Sequence, residues 1–343
     1  MGHSPARVGI MGLGRIGRNL FRLLYGREDI TIGGISELAD PEGLEYLLRF
    51  DTLLGRFPDE LSIRGGHVYV LGRQIPLIIG KPGEQAPWRD LGVETVLEAT
   101  SKRRTRKELE AHLAAGARRV ITCSPPSEAP DVTAIFGVNE RTLQASHRIV
   151  SNASSTVHCV APIARILHDA FGIERAQLTT IHSYTSQHRL ADVPAENLRG
   201  GRAAAENIIP QESRSPAILM EVVPELAGKV SGFAMTVPVA NGSAVDLVCW
   251  HSKNVSPEAI NEVLRTAAAS ARWKRVLQYE DEPIVSSDVA LSSYSSVFDS
   301  LSTMVLRDRV SKTLSWYDAG YGFAHRAIDL VNHFAALDRP QAA

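Results

Sequence analysis

The run Val8-Gly9-Ile10-Met11-Gly12-Leu13-Gly14-Arg15-Ile16-Gly17 decides the architecture of the N-terminal half. Four residues of short buried strand lead directly into G-x-G-x-x-G. From Arg15 to Tyr25 the apolar residues Ile16, Leu20, Leu23 and Leu24 then fall on one helical face. Strand, glycine turn and helix in that order give the motif its meaning. Gly12 permits the tight turn, Gly14 lets the backbone approach a pyrophosphate, and Gly17 lets helix and strand pack closely. The phosphate would rest on the N–H groups that open the helix, with Arg15 and Ile16 in its first turn. A second strand opens at Ile30-Thr31-Ile32 and ends near Ile35-Ser36-Glu37. An acid there, about 20 residues beyond the glycines, can accept hydrogen bonds from an adenine ribose. Glu37 therefore points to NAD. The blander reading is a glycine-rich turn that holds no ligand.

Working outward, a helix is predicted from Pro41 to Arg49, then hairpins turning at Gly65-Gly66 and Gly72. Strand signals follow at Glu94–Leu97 and Arg119–Thr122, with a helix from Arg106 to Ala115 between them that ends at Gly116. Alternating strands and helices imply a parallel sheet with crossover helices, a Rossmann domain over residues 1–154. Beyond it the pattern changes. Ser155 to Ala170 reads as an amphipathic helix. Leu178–His182, Gly232–Val237 and Ala244–Val248 read as strands separated by long loops, an α+β domain with a mostly antiparallel sheet over residues 155–319. Pro257 to Ala271 is a helix with Ser256 at its N-cap, and a last helix runs from Gly322 to Ala336.

Bulk composition narrows the function classes. The chain has 343 residues, enough for two cores, with 44% hydrophobic and 22% charged residues and a formal net charge of -1. That balance offers no electrostatic basis for a nucleic-acid or membrane partner. No apolar run reaches the roughly 20 residues of a membrane span. The opening Met1-Gly2-His3-Ser4-Pro5 has no signal-peptide core and is left out of the fold reading. The three cysteines, Cys123, Cys159 and Cys249, are odd in number and widely spaced. They read as buried thiols of a cytoplasmic protein rather than a disulfide framework, and no metal-ligand spacing is read.

Ser151-Asn152-Ala153-Ser154-Ser155-Thr156-Val157-His158-Cys159 precedes Ala161-Pro162 and the long helix. This segment resembles the signature S-N-A-S-C-T-T-N-C of the phosphorylating glyceraldehyde-3-phosphate dehydrogenases. The resemblance extends from Gly9–Arg18 through Phe136-Gly137-Val138-Asn139, Asn207-Ile208-Ile209-Pro210 and Val223-Pro224-Glu225-Leu226 to Ser315-Trp316-Tyr317-Asp318. It implies an α/β chain with an N-terminal Rossmann domain and a C-terminal α+β catalytic domain, onto whose first domain a helix at 320–340 packs back. It also implies an aldehyde substrate, NAD, and a homotetramer whose contacts involve the loop from Ser183 to Asn207. Cofactor contacts carried over are Gly12, Gly14, Arg15, Ile16, Gly17, Glu37, Thr100 and Cys123. Those for substrate or phosphate are Ser154, Thr156, Thr185, Ser213 and Arg214.

In that family the residue at the position of Ser155 is a cysteine that attacks the aldehyde, and a histidine matching His182 activates it. A helix N-terminus and an imidazole lower a thiol pKa from about 8.5, giving thiolate near neutral pH. A serine hydroxyl starts several units higher and yields an oxygen ester. Ser155 could alternatively be an N-cap hydroxyl, and His182 a satisfied strand histidine. Cys159 matches the family's second, non-attacking cysteine.

Other positions depart as well. The family's phosphate-binding arginine aligns with Thr236, which removes a bidentate contact. Its T-G aligns with Ser213-Arg214, and the asparagine that orients the nicotinamide aligns with Ala319. Thr100-Ser101-Lys102-Arg103-Arg104 replaces T-G-x-F. That charge run is either a solvated face or a cofactor contact, and Lys102 or Arg103 could favour the 2′-phosphate of NADP. Three functions follow: an NAD(P)-dependent aldehyde dehydrogenase with weakened or altered activity, a catalytically inactive nucleotide-binding homologue with a regulatory or assembly role, or a slow ester hydrolase using Ser155 and His182.

Overall fold

The computed structural model describes residues 5–81 and 84–339. The Met1–Ser4 segment and position 340, the expected end of the last helix, lie outside them. The chain forms two compact units: residues 1–134, 141–153 and 324–343, and residues 135–140 and 154–323.

In the first unit the elements are β1 (Ala6–Met11), α1 (Arg15–Leu24), β2 (Ile30–Glu37), α2 (Pro41–Arg49), β3 (Phe50–Asp51), β4 (Gly55–Arg56), β5 (Leu61–Arg64), β6 (His67–Val70), β7 (Arg73–Ile79), β8 (Thr95–Glu98), α3 (Arg106–Ala114), β9 (Arg119–Thr122), β10 (Val132–Thr133) and β11 (Ile149–Ser151). Their nine-stranded sheet has the order β10-β11-β9-β8-β1-β2-β7-β6-β5. It is parallel from β10 to β7, and β6 and β5 extend it as antiparallel hairpins. Val8, Ile10, Ile30, Ile35, Val96, Leu97, Val120 and Ile121 are fully buried, as strands covered on both faces require. The helix starts follow local chemistry. Asp40 caps α2 by accepting from the N–H of Glu42 and Gly43. Thr105 and Glu108 form a reciprocal capping box on α3. The C-terminal α7 (Tyr321–Leu337) leads to Asp338, whose carboxylate pairs with the buried Arg119 guanidinium at 2.8 Å, while that guanidinium stacks on Phe334.

The second unit contains α4 (Ser155–Phe171), β12 (Ile173–Ser183), β13 (Ile209–Gln211), α5 (Ser215–Val222), β14 (Val230–Val237), β15 (Ser243–His251), α6 (Pro257–Ala269), β16 (Leu277–Glu280), β17 (Ser296–Leu306) and β18 (Val310–Tyr317). Its sheet order is β13-β14-β12-β15-β18-β17-β16. Antiparallel pairing dominates, but β12–β14 and β16–β17 are parallel. The covered face carries Thr180, Thr236, Val245, Leu247 and Cys249, all buried.

The hairpin β17–β18 is absent from the sequence reading. Its inward residues explain the omission: Ser311, Thr313 and Ser315 are buried on β18 while Val310, Leu314 and Trp316 take the other face, the reverse of the apolar-in pattern that marks a strand. Strand β8 starts one residue later than read, at Thr95.

Candidate functional site

The sheet of the first unit reverses its winding between β1, which continues to β2 on one side, and β8 on the other. Ligands of parallel sheets bind at the carboxyl edge of such a switch point. There Gly12 adopts φ +92° and its N–H donates to the Ser36 carbonyl at 2.8 Å. Gly17 sits so close beneath it that a Cβ would lie 1.9 Å from the Gly12 carbonyl oxygen. Gly14 is the N-cap of α1, with no side-chain cap and no acid in the helix's first turn, where Arg15 and Ile16 follow. A Cβ on Gly14 would meet nothing within 4 Å. An uncapped helix start beside open space fits a pyrophosphate. The Glu37 carboxylate stands at the rim, accepting from the Leu13 N–H at 2.5 Å and the Leu38 N–H at 2.7 Å.

Thr100 follows β8 and backs directly onto the turn, its α-carbon only 3.0 Å from where a Gly12 Cβ would be. The Thr100 hydroxyl donates to Glu98, a carboxylate 1% exposed that sequence reasoning missed. Glu98 also accepts from His112 Nε2 at 3.3 Å. Because Trp88 Nε1–H donates to His112 Nδ1 at 3.1 Å, the ring proton sits on Nε2, facing Glu98. Burial opposes the charge on Glu98, yet the bonds from His112 and Thr100 and the charge of Arg104 outweigh it, holding the carboxyl below its usual range. Cys123 follows β9 beside this group, its N–H donating to the Glu98 carbonyl at 2.9 Å; burial first, and Glu98 second, push its thiol far up.

The basic run therefore divides. Arg104 turns inward, 3.5 Å from Glu98 and 3.2 Å from Glu108, and its Nη2 donates to the Thr100 hydroxyl at 3.2 Å. Lys102 and Arg103 are exposed. Ser101 between them and Thr100 takes a left-handed φ of +59°.

The approach to α4 is bent by Ala153, a non-glycine residue at φ +51°. Such a conformation needs support from its surroundings, and Ser151 Oγ supplies some by accepting from the Ala153 N–H at 3.1 Å. Ser154 caps the helix, accepting from the Val157 N–H. This corrects the alternative role considered for Ser155: it is not the cap but the first helical residue, half-buried, with its hydroxyl free of the capping duty. Thr156 is buried, and its hydroxyl bonds the Tyr317 hydroxyl at 2.8 Å. The Tyr317 ring in turn packs edge-on against His182, with centroids 6.1 Å apart. His182 Nδ1 lies 2.6 Å from the Ser183 carbonyl. A carbonyl only accepts, so Nδ1 carries a proton, and in the neutral ring the lone pair is on Nε2, as a general base requires. Thr156, Tyr317 and His182 thus join the start of α4 to the ends of β18 and β12. In the sequence Tyr317 stands out only as part of a motif; the signal of its role is tertiary.

Cys159 is fully buried, with Sγ 3.6 Å from Ser296 Oγ, and burial pushes its thiol up to about 12. Thr236 lies on β14 directly opposite His182, where its hydroxyl contacts Gln211 and His188. Thr185 also contacts His188, at 3.1 Å. His188 and Gln211 carry no signal in the sequence reading. Ser213 and Arg214 follow β13: Ser213 Oγ accepts from the Ser215 N–H at 3.2 Å, and Arg214 is the exposed N-cap of α5. Ala319 is buried beside Asp318, whose carboxylate accepts from Asn241, Leu291, Gly320 and Tyr321 and so fixes the backbone there. Among the described residues no cluster of His, Cys, Asp and Glu could hold a metal, and no helix is long and apolar enough to cross a membrane.

Comparison with known proteins bears on both units. Residues 6–106 match the NAD binding domain of glyceraldehyde 3-phosphate dehydrogenase and residues 154–319 match its C-terminal domain. The chain is 42% identical over 331 residues to a glyceraldehyde-3-phosphate dehydrogenase of Geobacillus stearothermophilus, covering 96% of this chain and 98% of the relative. It is 42% identical over 332 residues to one from Mycobacterium leprae, covering 95% and 97%. A third, from Priestia megaterium, is 40% identical over 331 residues, covering 96% and 98%.

Proposed function

The chain belongs to the glyceraldehyde-3-phosphate dehydrogenase family, an NAD-binding oxidoreductase family, and we propose that it is an aldehyde oxidoreductase slowed by Ser155 at the position of the attacking thiol. What carries this reading is the placement of Ser155 at the first position of α4, capped by Ser154 and tied through Thr156 and Tyr317 to His182. Gly12, Gly14, Arg15, Ile16 and Gly17 would hold the pyrophosphate and Glu37 the ribose, with Thr100 and Cys123 at the same edge.

NAD, when bound, supplies the hydride acceptor. His182 takes the Ser155 hydroxyl proton at Nε2 while Oγ attacks the aldehyde carbon. Oxidation of the resulting hemiacetal, whose hydride bound NAD would accept, leaves an ester on Ser155 and releases only the one proton already held by His182; phosphate or water then takes the acyl group, and Oγ recovers a proton from His182. Oxygen lacks the low pKa that the same helix start and imidazole give a thiol. Both attack and release are therefore slower than with cysteine.

A second reading, a nucleotide-binding homologue without catalysis and with a regulatory or assembly role, draws support from Thr236 and Ala319. These put no guanidinium at position 236 for a phosphate and no side-chain amide at position 319 for the nicotinamide. Either way we read the chain as a homotetramer. On the sheet face opposite α4, Phe233, Trp250, Met304 and Leu306 are exposed, an apolar set that a second copy could cover.

Steady-state NADH formation with glyceraldehyde 3-phosphate and phosphate tests the reading. Slow turnover that rises sharply in Ser155→Cys supports it. Two inert proteins that still bind NAD favour the second reading.

A further inference from the structure

A polar cluster beside His182 bears on the far end of the substrate. His182 and Thr236 are register partners on parallel strands β12 and β14, so both side chains leave one face of the sheet about 5 Å apart. Gln211 on β13 shares that face, because Ile209 pairs with Thr236 and Gln211 with Ala234. His188 closes the group. Its Nε2 lies 3.1 Å from Thr236 Oγ1 and 2.9 Å from the Gln211 side-chain amide, which also touches Thr236 Oγ1. On its other side, Nδ1 accepts from the Thr185 N–H at 3.0 Å and lies 3.1 Å from the Thr185 hydroxyl.

A backbone N–H can only donate, so the lone pair of His188 is on Nδ1 and its proton on Nε2. The ring is held as neutral imidazole by two donors from one residue. The Gln211 amide completes the set when its oxygen, rather than its nitrogen, faces the ring, a half-turn of the amide. Thr236 is buried beneath, whereas His188, Gln211 and Thr185 are half-buried. These four hydrogen-bonded side chains include no cation.

We propose that Thr185, His188, Gln211 and Thr236 form the distal substrate subsite, and that it takes the uncharged hydroxyl end of a polyhydroxy aldehyde in preference to a phosphorylated end. The inference rests on the aldehyde-oxidoreductase reading above. A hydroxyl both donates and accepts, which matches an imidazole, an amide and two hydroxyls. A phosphate dianion needs charge-assisted partners to offset its desolvation, and none of the four supplies a charge.

The test uses the full-length Ser155→Cys protein with saturating NAD, comparing kcat/KM for glyceraldehyde and glyceraldehyde 3-phosphate. Glyceraldehyde should be preferred. Adding Thr236→Arg should shift the ratio toward the phosphorylated aldehyde by about tenfold or more, chiefly through KM. A preference for glyceraldehyde 3-phosphate in Ser155→Cys, or a ratio indifferent to Thr236→Arg, overturns the proposal. If neither aldehyde is oxidised, it is the oxidoreductase reading that has failed. The subsite is then judged by calorimetric titration of the NAD-saturated wild type and Thr236→Arg with inorganic phosphate. Binding about tenfold tighter in the variant supports the subsite; equal affinity overturns it.

Discussion

Thr156 and Tyr317 share a buried hydroxyl–hydroxyl bond of 2.8 Å, although 161 residues separate them in the chain. It fixes the first turn of α4 against the end of β18, and the same phenol ring presents its edge to His182. The position of Ser155 is thereby referred to the imidazole through packing as well as through backbone.

Replacing Tyr317 by Phe keeps the ring and deletes the bond. The Thr156 hydroxyl is then left buried without this partner, at a cost of about 1–3 kcal/mol. Urea denaturation measures the loss. Tyr317→Ala removes the ring as well and should cost more, about 3–5 kcal/mol, since the side chain is almost wholly buried. Near-equal stability of wild type and Tyr317→Phe would contradict the role given to the bond.

The glycines of the dinucleotide turn should separate folding from binding. Gly14 has open space where a Cβ would stand and an ordinary φ of -63°. Gly14→Val should therefore change stability by no more than about 0.5 kcal/mol while weakening NAD by about tenfold or more, since side-chain bulk enters the pyrophosphate's approach. Gly17→Ala places a methyl 1.9 Å from the Gly12 carbonyl and should destabilise the fold by about 1–3 kcal/mol. Fluorescence titration with NAD, beside thermal melting, reads both. Equal effects of the two substitutions would refute this division.

Glu98 gives a pH signature. Its folded pKa is depressed, so its contribution is present above the unfolded value of about 4.3 and is lost as pH falls through the folded value. Other depressed carboxylates, such as Asp51 and Asp131, behave alike, so the informative quantity is a difference. Tm of Glu98→Gln should lie below wild type at pH 7, and the gap should narrow as pH drops below about 4. A gap that stays constant to pH 3 would contradict the direction assigned to Glu98.

Much of the first unit is legible in the sequence because its signals are local. Asp40 before Pro41, Thr105 before Glu108, and the glycine turn after β1 each act within a few residues, and the strands are continuous apolar runs. The second unit hides more. Buried Ser311, Thr313 and Ser315 reverse the apolar-in pattern on β18. His188 and Gln211 meet Thr236 only through strand register and a loop, relations without a short-range trace. Arg104 reads as part of a charged run, yet it turns inward because Glu98, six residues earlier, is a buried acid requiring partners. Of two adjacent serines, only the observed hydrogen bond to Val157 shows which one caps α4.

The reactivity of a cysteine at position 155 tests most directly whether that position is the nucleophile's. All three natural thiols are buried, and burial raises Cys159 and Cys249 to about 12 and Cys123 further still. Native wild type should therefore show no rapidly alkylated thiol. Ser155→Cys should add one fast-reacting thiol to iodoacetamide, with an apparent pKa well below the ordinary value of about 8.5 and moved upward by His182→Ala. A thiol at 155 that titrates at or above about 8.5, or is indifferent to His182, would contradict the placement of Ser155 and His182 as the reacting pair.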